Sequence, residues 1–163
     1  MTVVMLFGLL CGVAASNAEG PHVMVIAHRG GVVDGTRGEN SLAALEEAIR
    51  RGYTHVEVDV RCTSDGHPVC LHDQSLKRAA GIDSDIETLT LSTLRERVPE
   101  ESVPRFETFC ERARGRIGLM LDMKGCPEPL REKMLPRVEQ TLRNNGLLEG
   151  ALFIGEARLT RYF

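Results

Sequence analysis

Residues 56–73 read VEVDVRCTSDGHPVCLHD, two short apolar runs with a turn sequence between them. Val56–Val60 predicts one β-strand and Pro68–His72 predicts another, because each is a brief apolar run of strand length. Thr63-Ser64-Asp65-Gly66 has the residue types that favour a tight turn. The stretch therefore predicts two consecutive strands with acidic residues and a histidine at their ends.

Further apolar runs on both sides alternate with helical patterns. Val23 to Ala27 predicts a strand buried on both faces, and Asn40 is suited to cap a helix from Ser41 to Arg51. The other expected elements are helices near Ser92 to Arg97, Arg105 to Arg114 and Pro129 to Asn144 (kinked or split at Pro136), and strands over Ile117 to Met123 and Ala151 to Gly155. This alternation favours a parallel α/β sheet with right-handed crossovers, either an open doubly wound sheet or a closed barrel.

Composition restricts the class of protein. The 163 residues suffice for one domain with a hydrophobic core. The net charge of −3, the absence of a long basic run and the absence of Trp argue against a nucleic-acid partner. The five cysteines form no CxxC pair and lack histidines at zinc spacing, so they do not indicate a zinc framework.

The first residues differ from the rest of the chain. Residues 3–15 are almost wholly apolar, and Ser16-Asn17-Ala18 offers small residues for a cleavage site. Residues 1–18 are therefore predicted to be a signal peptide or the remnant of a membrane anchor, the alternative being a poorly ordered extension. A signal or anchor predicts a secreted or membrane-associated protein of the secretory pathway, and a cytoplasmic one follows if the segment is not a signal.

Ionisable residues recur where the predicted strands end. His28 and Arg29 follow the first strand directly. The other three strand ends carry Glu57 and Asp59, His72 and Asp73, and Asp122 and Lys124. In α/β folds the carboxyl ends of the strands form the edge at which sites are built. Four such endings in succession predict a functional site there.

The carboxylates suggest a metal site. Glu57 and Asp59 are two residues apart on a strand, so their side chains point the same way, and Asp122 can supply a third carboxylate. Like charges held together are unfavourable unless a cation or a shared proton relieves them. Oxygen ligands suit Mg2+ or Ca2+ better than zinc. The alternative is that Glu57 and Asp59 form the solvated face of an edge strand.

The histidines and cations suggest phosphodiester chemistry. His28 and His72 can lie on either side of a ligand and act as general base and general acid. Arg29 and Lys124 can bind phosphate oxygens, although a surface salt bridge is the ordinary alternative for Arg29. Glu39 is not readily explained as a helix cap and is a candidate supporting residue.

Taken together, these motifs resemble the ordered motifs of the glycerophosphodiester phosphodiesterase family, and most closely its animal membrane-associated members. The resemblance covers the chain after the leader and is carried by His28-Arg29-Gly30, Glu39-Asn40-Ser41, Glu57-Val58-Asp59 with Thr63–Gly66, His72-Asp73 and Asp122-Met123-Lys124. It implies a TIM-type (β/α) barrel that hydrolyses glycerophosphodiesters to glycerol 3-phosphate and an alcohol.

The same resemblance implies a role for each site residue. Glu57, Asp59 and Asp122 would hold one Mg2+ or Ca2+ ion, and His28 and His72 would be the acid–base pair. Arg29 and Lys124 would then bind the phosphate of a small glycerophosphodiester or lysolipid substrate.

The chain also departs from the family pattern. Gly38-Glu39-Asn40-Ser41 replaces a common Pro-Glu-Asn-Thr, and Asp122 stands where many members have Glu. Related lysophospholipase D and sphingomyelinase D enzymes share the Asp-x-Lys pattern, so these activities are alternatives. Residues 22–163 supply about five of the eight strands of such a barrel. The sequence therefore predicts an N-terminal portion of the domain that is unstable or poorly active by itself, or a truncated non-catalytic fragment.

Overall fold

A five-stranded sheet is the centre of the computed structural model, which describes residues 23–31 and 38–163. The strands are β1 (Ile26–Ala27), β2 (His55–Cys62), β3 (Pro68–Cys70), β4 (Gly118–Met123) and β5 (Leu152–Gly155). Strands β1, β2, β4 and β5 lie side by side in that order and run parallel. This is the α/β arrangement expected from the alternation of strands and helices.

Strand β3 differs from the others because it runs antiparallel to β2, with Cys70 opposite Val60. The turn between the two strands explains the reversal. Gly66 adopts a positive φ of 78°, and its N–H donates to the carbonyl of Thr63 at 2.8 Å. A hairpin connection of this kind pairs strands antiparallel, whereas parallel pairing needs a longer crossover. All five expected strands are present, but only four of them run parallel.

Six helices accompany the sheet in the described part of the chain. They are α1 (Leu42–Arg50), α2 (Lys77–Ala80), α3 (Leu91–Arg97), α4 (Phe106–Ala113), α5 (Glu128–Asn144) and α6 (Ala157–Thr160). Short 3-10 turns occur at His28–Gly30, Ile86–Thr88 and Leu148–Gly150.

The main core lies between one face of the sheet and helices α1, α4 and α5. Strand β2 alternates, so that Val56, Val58 and Val60 enter this core while Glu57 and Asp59 point to the opposite face. The helices contribute Leu45, Phe106, Phe109, Met134, Val138 and Leu142, among others. This packing fixes strands β2 and β4 and leaves their other face for the site.

A second, separate hydrophobic cluster supports the segment between β3 and α4. It consists of Val69, Leu71, Leu76, Ile86, Leu94, Val98 and Val103, all almost completely buried. This satellite core holds the chain that follows His72 and includes α2 and α3.

Two local expectations are wrong, and of the kink or split expected at Pro136 the split does not occur. Strand β1 has only two residues, and Val23, Met24 and Val25 before it are exposed. Ser41, not Asn40, caps α1, accepting a hydrogen bond from the Ala44 N–H. Helix α5 is not split at Pro136; this residue lies on the exposed side, where water can bond the carbonyl that proline leaves without a donor.

The predicted leader, residues 1–18, lies outside the described residues, so the signal or anchor stays a prediction. Among residues 23–31 and 38–163, no helix is both long and apolar enough to cross a bilayer.

Candidate active site

Three carboxylates converge on the face of the sheet opposite the main core. Glu57 and Asp59 come from β2 and Asp122 from β4, with one oxygen of each lying within 4.8 Å of the other two. The strand register produces this, because Asp59 lies directly opposite Asp122. Glu57 and Asp59 are buried and Asp122 is half-buried. The three carboxylates could together hold a metal ion, and β2 lies between β1 and β4 rather than at the edge of the sheet.

Lys124 provides one of the positive charges in this group. Its Nζ lies 2.6 Å from Asp122 Oδ2 and 2.8 Å from Asp59 Oδ1. The Lys124 N–H also donates to the carbonyl of Val60 at 3.1 Å, which continues the pairing of β4 with β2 by one residue. The lysine is therefore held where the two parallel strands end.

The turn after β1 places His28 and Arg29 beside the carboxylates. Arg29 adopts a left-handed conformation with φ 51°, and its N–H donates to Glu57 Oε2 at 2.7 Å. Its guanidinium lies 3.4 Å from Asp59 Oδ2, through Nε. His28 is largely exposed and has its Nε2 3.8 Å from Glu57 Oε2. Left-handed backbone is uncommon for residues other than glycine, so contacts with Glu57 and Asp59 help to hold this turn.

Asn40 fixes the position of Asp59. Its side-chain amide donates to Asp59 Oδ2 at 2.7 Å, and its carbonyl accepts from the Asp59 N–H at 3.0 Å. Asn40 is 2% exposed, has a φ of 57° and donates its own N–H to the carbonyl of Arg29. A residue expected to cap a helix thus holds a carboxylate of the site.

His72 is oriented from two sides. Its Nδ1 lies 2.6 Å from Asp73 Oδ1, and Arg61 Nε donates to the His72 carbonyl at 2.8 Å. Arg78 Nε donates to the second oxygen of Asp73 at 2.6 Å. The other end of the Arg78 guanidinium bonds Glu39, which in turn accepts from Arg29 Nη1 at 3.2 Å.

Two clefts adjoin Glu39 and contain the two histidines. One, of about 430 Å3, is lined by His28, Arg29 and Glu39, among others. The other, of about 360 Å3, is lined by Glu39, His72 and Arg78, among others. Glu39 therefore lies at the boundary between them.

The charges of the site shift its pKa values. Burial raises the pKa of Glu57; the N–H of Arg29 opposes this, and the neighbouring Asp59 and Asp122 raise the pKa further. Burial alone would lower the pKa of Lys124, but its bonds to Asp122 and Asp59 outweigh burial and raise it. The pKa of Glu57 is thus raised by burial first and by the two neighbouring carboxylates second.

The pKa values of Glu39 and Asp73 are instead lowered by neighbouring arginine side chains. Burial opposes the ionisation of Glu39, yet hydrogen bonds from Arg78 and Arg29 hold its pKa below the usual value. The pKa of Asp73 is also lowered, by hydrogen bonds first from Arg78 and then from His72. Both carboxylates are therefore anionic partners of Arg78.

The structure thus brings the residues predicted from the sequence to one region. Glu57, Asp59, Asp122, Lys124 and Arg29 contact or closely approach one another, and His28 lies beside Glu57. Glu39 and His72 join this group through Arg78 and Asp73. Asn40, Arg61 and Arg78 were missed as site residues, and only the position of Asn40 beside Glu39 offered a signal.

Comparisons with known proteins agree with this geometry. Residues 28–149 match the profile of the glycerophosphoryl diester phosphodiesterase family. The chain is 36% identical over 115 residues to glycerophosphodiester phosphodiesterase 1 of Mus musculus, covering 63% of this chain and 34% of the relative. It is 45% identical over 75 residues to a probable glycerophosphodiester phosphodiesterase 1 of Mycobacterium tuberculosis, covering 46% and 27%. The matches thus span about a third or less of these relatives.

Solved structures show the same fold. A glycerophosphodiester phosphodiesterase of Agrobacterium tumefaciens superposes with a TM-score of 0.71 at 23% identity, over 86% of this chain and 61% of the other. A phosphodiesterase of Oleispira antarctica, in complex with the product sn-glycerol-3-phosphate, superposes with a TM-score of 0.64 at 32% identity, over 76% and 53%. The expected TIM-type fold is confirmed.

Proposed function

Because this chain belongs to the glycerophosphoryl diester phosphodiesterase family, we propose that its site hydrolyses glycerophosphodiesters to glycerol 3-phosphate and an alcohol with the help of one divalent cation. The observation that carries the proposal is the convergence of Glu57, Asp59 and Asp122 within 4.8 Å, beside two cationic side chains and a histidine. The Oleispira antarctica structure with sn-glycerol-3-phosphate supports a glycerol phosphate product.

The carboxylate site fits a divalent cation. Among the described residues, Lys124 and Arg29 are the cations in contact with the three carboxylates, which leaves one negative charge of this group unbalanced when His28 is neutral. Burial raises the pKa of Glu57, and the charges of Asp59 and Asp122 raise it further. The donors are all oxygens, which is the ligand set that Mg2+ and Ca2+ prefer. Such an ion supplies Lewis acidity and charge stabilisation to a phosphoryl oxygen.

The cations of the chain would bind the phosphodiester. The planar guanidinium of Arg29 is suited to bind two phosphate oxygens at once, and the ammonium of Lys124 can bind phosphate as a compact charge. Once the charge of the three carboxylates is neutralised, Asp59 and Asp122 would need less of the positive charge of Lys124. The ammonium is then available to an anionic phosphate, whose added negative charge it would stabilise as the transition state forms.

The histidines would move the protons. One accepts a proton from the attacking hydroxyl, either of water or of the neighbouring glycerol carbon, as the new P–O bond forms. The other gives a proton to the oxygen of the departing alcohol as its P–O bond breaks. His72 has Nδ1 bonded to Asp73, so its Nε2 is the nitrogen free for this exchange.

The test is the release of glycerol 3-phosphate from glycerophosphocholine and glycerophosphoinositol by the chain, with Mg2+, with Ca2+ and with EDTA. We expect metal-dependent release that falls by about 100-fold or more in His28→Gln and His72→Gln. His67→Gln is the matched control, because His67 lies in the β2–β3 turn and its pairing partner is Asp65. A folded chain that releases no product in either metal would refute the proposal, and choline release from long-chain lysolipids alone would reassign the substrate.

A further inference from the structure

Arg78 connects the two histidine-bearing parts of the site. It lies on α2 and bonds two carboxylates that are far apart in the sequence, Glu39 before α1 and Asp73 after β3. One carboxylate continues to Arg29, the neighbour of His28, and the other continues to His72. A single guanidinium thus bridges two separate lines of hydrogen bonds.

We propose that Arg78 is a positioning residue, which sets the ring tautomer of His72 through Asp73 and the location of Arg29 through Glu39. The proposal rests on the proposed function for its effect on catalysis. Its effect on the His72 ring is a property of the folded chain and is measurable without turnover.

The first line of contacts concerns the His72 ring. Arg78 Nε holds one oxygen of Asp73 at 2.6 Å, and the other oxygen lies 2.6 Å from His72 Nδ1. Asp73 is ionised at neutral pH, and Arg78 lowers its pKa further; an ionised carboxylate can only accept a hydrogen bond. The hydrogen therefore resides on Nδ1 in the neutral ring, and Nε2 keeps its lone pair. Asp73 is one-third exposed, so without Arg78 its side chain is free to turn away.

The second line concerns Arg29. Glu39 has one oxygen bonded by Arg78 and the other 3.2 Å from Arg29 Nη1. Arg29 would otherwise be drawn further toward Asp59, which its Nε already approaches to 3.4 Å. Arg78 holds Glu39 between the two clefts. Glu39 in turn keeps the guanidinium of Arg29 directed toward the cleft that contains His28.

An ordinary surface ion pair provides the comparison. Arg116 bonds Glu46 through both terminal nitrogens at 2.9 and 2.7 Å and is exposed to a similar degree. The Arg116–Glu46 pair does not contact His28, His72 or the carboxylates. Arg116→Met thus removes one exposed arginine with two hydrogen bonds to carboxylate oxygens, as Arg78→Met does, together with one bond to the carbonyl of Arg112, and it leaves the site untouched.

The experiment compares the wild-type chain with its Arg78→Met, Arg78→Lys and Arg116→Met variants. The 15N shifts of the two ring nitrogens of His72 report the tautomer, and His72→Gln assigns the signals. Steady-state hydrolysis of glycerophosphocholine with Mg2+ or Ca2+ gives kcat and KM separately. Circular dichroism establishes that each variant is folded.

We expect wild type and Arg116→Met to show a protonated Nδ1 and a bare Nε2, and Arg78→Met to show a mixture of the two tautomers. The kcat of Arg78→Met should fall about 10- to 100-fold with a smaller change in KM, because misplaced groups slow the chemical step. The tautomer ratio and kcat of Arg78→Lys should be intermediate, because lysine keeps the positive charge but cannot bond both carboxylates as the guanidinium does.

Unchanged ring-nitrogen shifts in Arg78→Met would overturn the proposal, whatever the effect on kcat. A changed tautomer with kcat within about twofold of Arg116→Met would also overturn it, since positioning would then not matter for the reaction. If the wild-type chain releases no product, the proposed function fails, and the shifts still decide whether Arg78 orients His72.

Discussion

Asp59 and Asp122 lie directly opposite each other on neighbouring parallel strands, and one ammonium group, that of Lys124, contacts an oxygen of each. Glu57 brings a third carboxylate to within 4.8 Å of both, from a buried position with a raised pKa. Within the described residues, three carboxylates thus meet the charges of Lys124 and Arg29, and several measurable properties follow.

Divalent cations should stabilise the wild-type chain but not Asp122→Asn. A ligand that binds only the folded state adds roughly 2.7 kcal/mol at 100 times its Kd, and Asp122 supplies one of the three expected ligands. The measurement is thermal unfolding with and without Mg2+ or Ca2+. Asp83→Asn is the control, because it removes the same charge from an exposed loop residue. An equal metal-induced shift in all three proteins would rule out this metal site.

Glu57→Gln should remove one contribution to stability that falls as the pH rises in the metal-free chain. Burial, together with the charges of Asp59 and Asp122, raises the folded-state pKa of Glu57. The folded chain then binds this proton more tightly than the unfolded chain, so the associated stability is present at low pH and is lost as pH rises through the folded pKa.

At neutral pH without metal, the Glu57→Gln chain should therefore be more stable than wild type, and with metal it should be less stable. Urea unfolding from about pH 4 to about pH 8 tests this, since that range brackets the usual glutamate pKa. Glu149→Gln changes an exposed glutamate and should leave the profile unchanged. A stability difference between the two proteins that shifts in favour of wild type as the pH rises would disprove the expected sign.

Asn40→Asp should destabilise the metal-free chain by about 1–3 kcal/mol, the usual effect of losing a buried hydrogen-bonded partner. The variant loses the amide that donates to Asp59 Oδ2 and places a carboxylate against it. Aspartate tolerates the positive φ at this position, so backbone strain does not confuse the result.

The control for Asn40 is Ser41→Ala, which removes the cap of α1 and should cost about 1 kcal/mol. Its metal-induced stabilisation should equal that of wild type. Chemical unfolding of both variants gives the comparison. Wild-type stability for Asn40→Asp would mean that its bonds to Asp59 contribute nothing.

Gly155→Ala should weaken metal binding through Asp122. A Cβ at this position would lie 2.6 Å from Asp122 Oδ1 and 2.6 Å from the carbonyl of Met123, so the carboxylate must move. Gly115→Ala is the matched control, because Gly115 also has a positive φ but an added Cβ there would meet open space. Both variants should lose stability, but only Gly155→Ala should reduce the metal-induced shift in Tm. Equal shifts in the two variants would contradict this reasoning.

The sequence predicted the site better than it predicted the local backbone. Alternation in β2 and the register with β4 are consequences of strand periodicity, so the meeting of Glu57, Asp59 and Asp122 was foreseeable. The antiparallel direction of β3 was also accessible, since Thr63–Gly66 is too short for a parallel crossover. The family assignment drawn from these motifs is confirmed.

Other features depend on contacts that a linear pattern does not show. Asn40 and Ser41 are both good capping residues, and the hydrogen bonds to Asp59 decide that Ser41 caps α1. Arg78 looks like an ordinary helical arginine until Glu39 is brought beside it from a position 39 residues away. Such long-range pairing is set by tertiary packing.

The satellite core around Leu76, Ile86 and Leu94 has a consequence for how this site can change over evolutionary time. His72, Asp73 and Arg78 are attached to that core, whereas Glu57, Asp59 and Asp122 are attached to the main one. Mutations that repack the satellite core can reshape the cleft around His72 while the carboxylates keep their register. One half of the site can thus vary in shape while the half that contains the three carboxylates keeps its geometry.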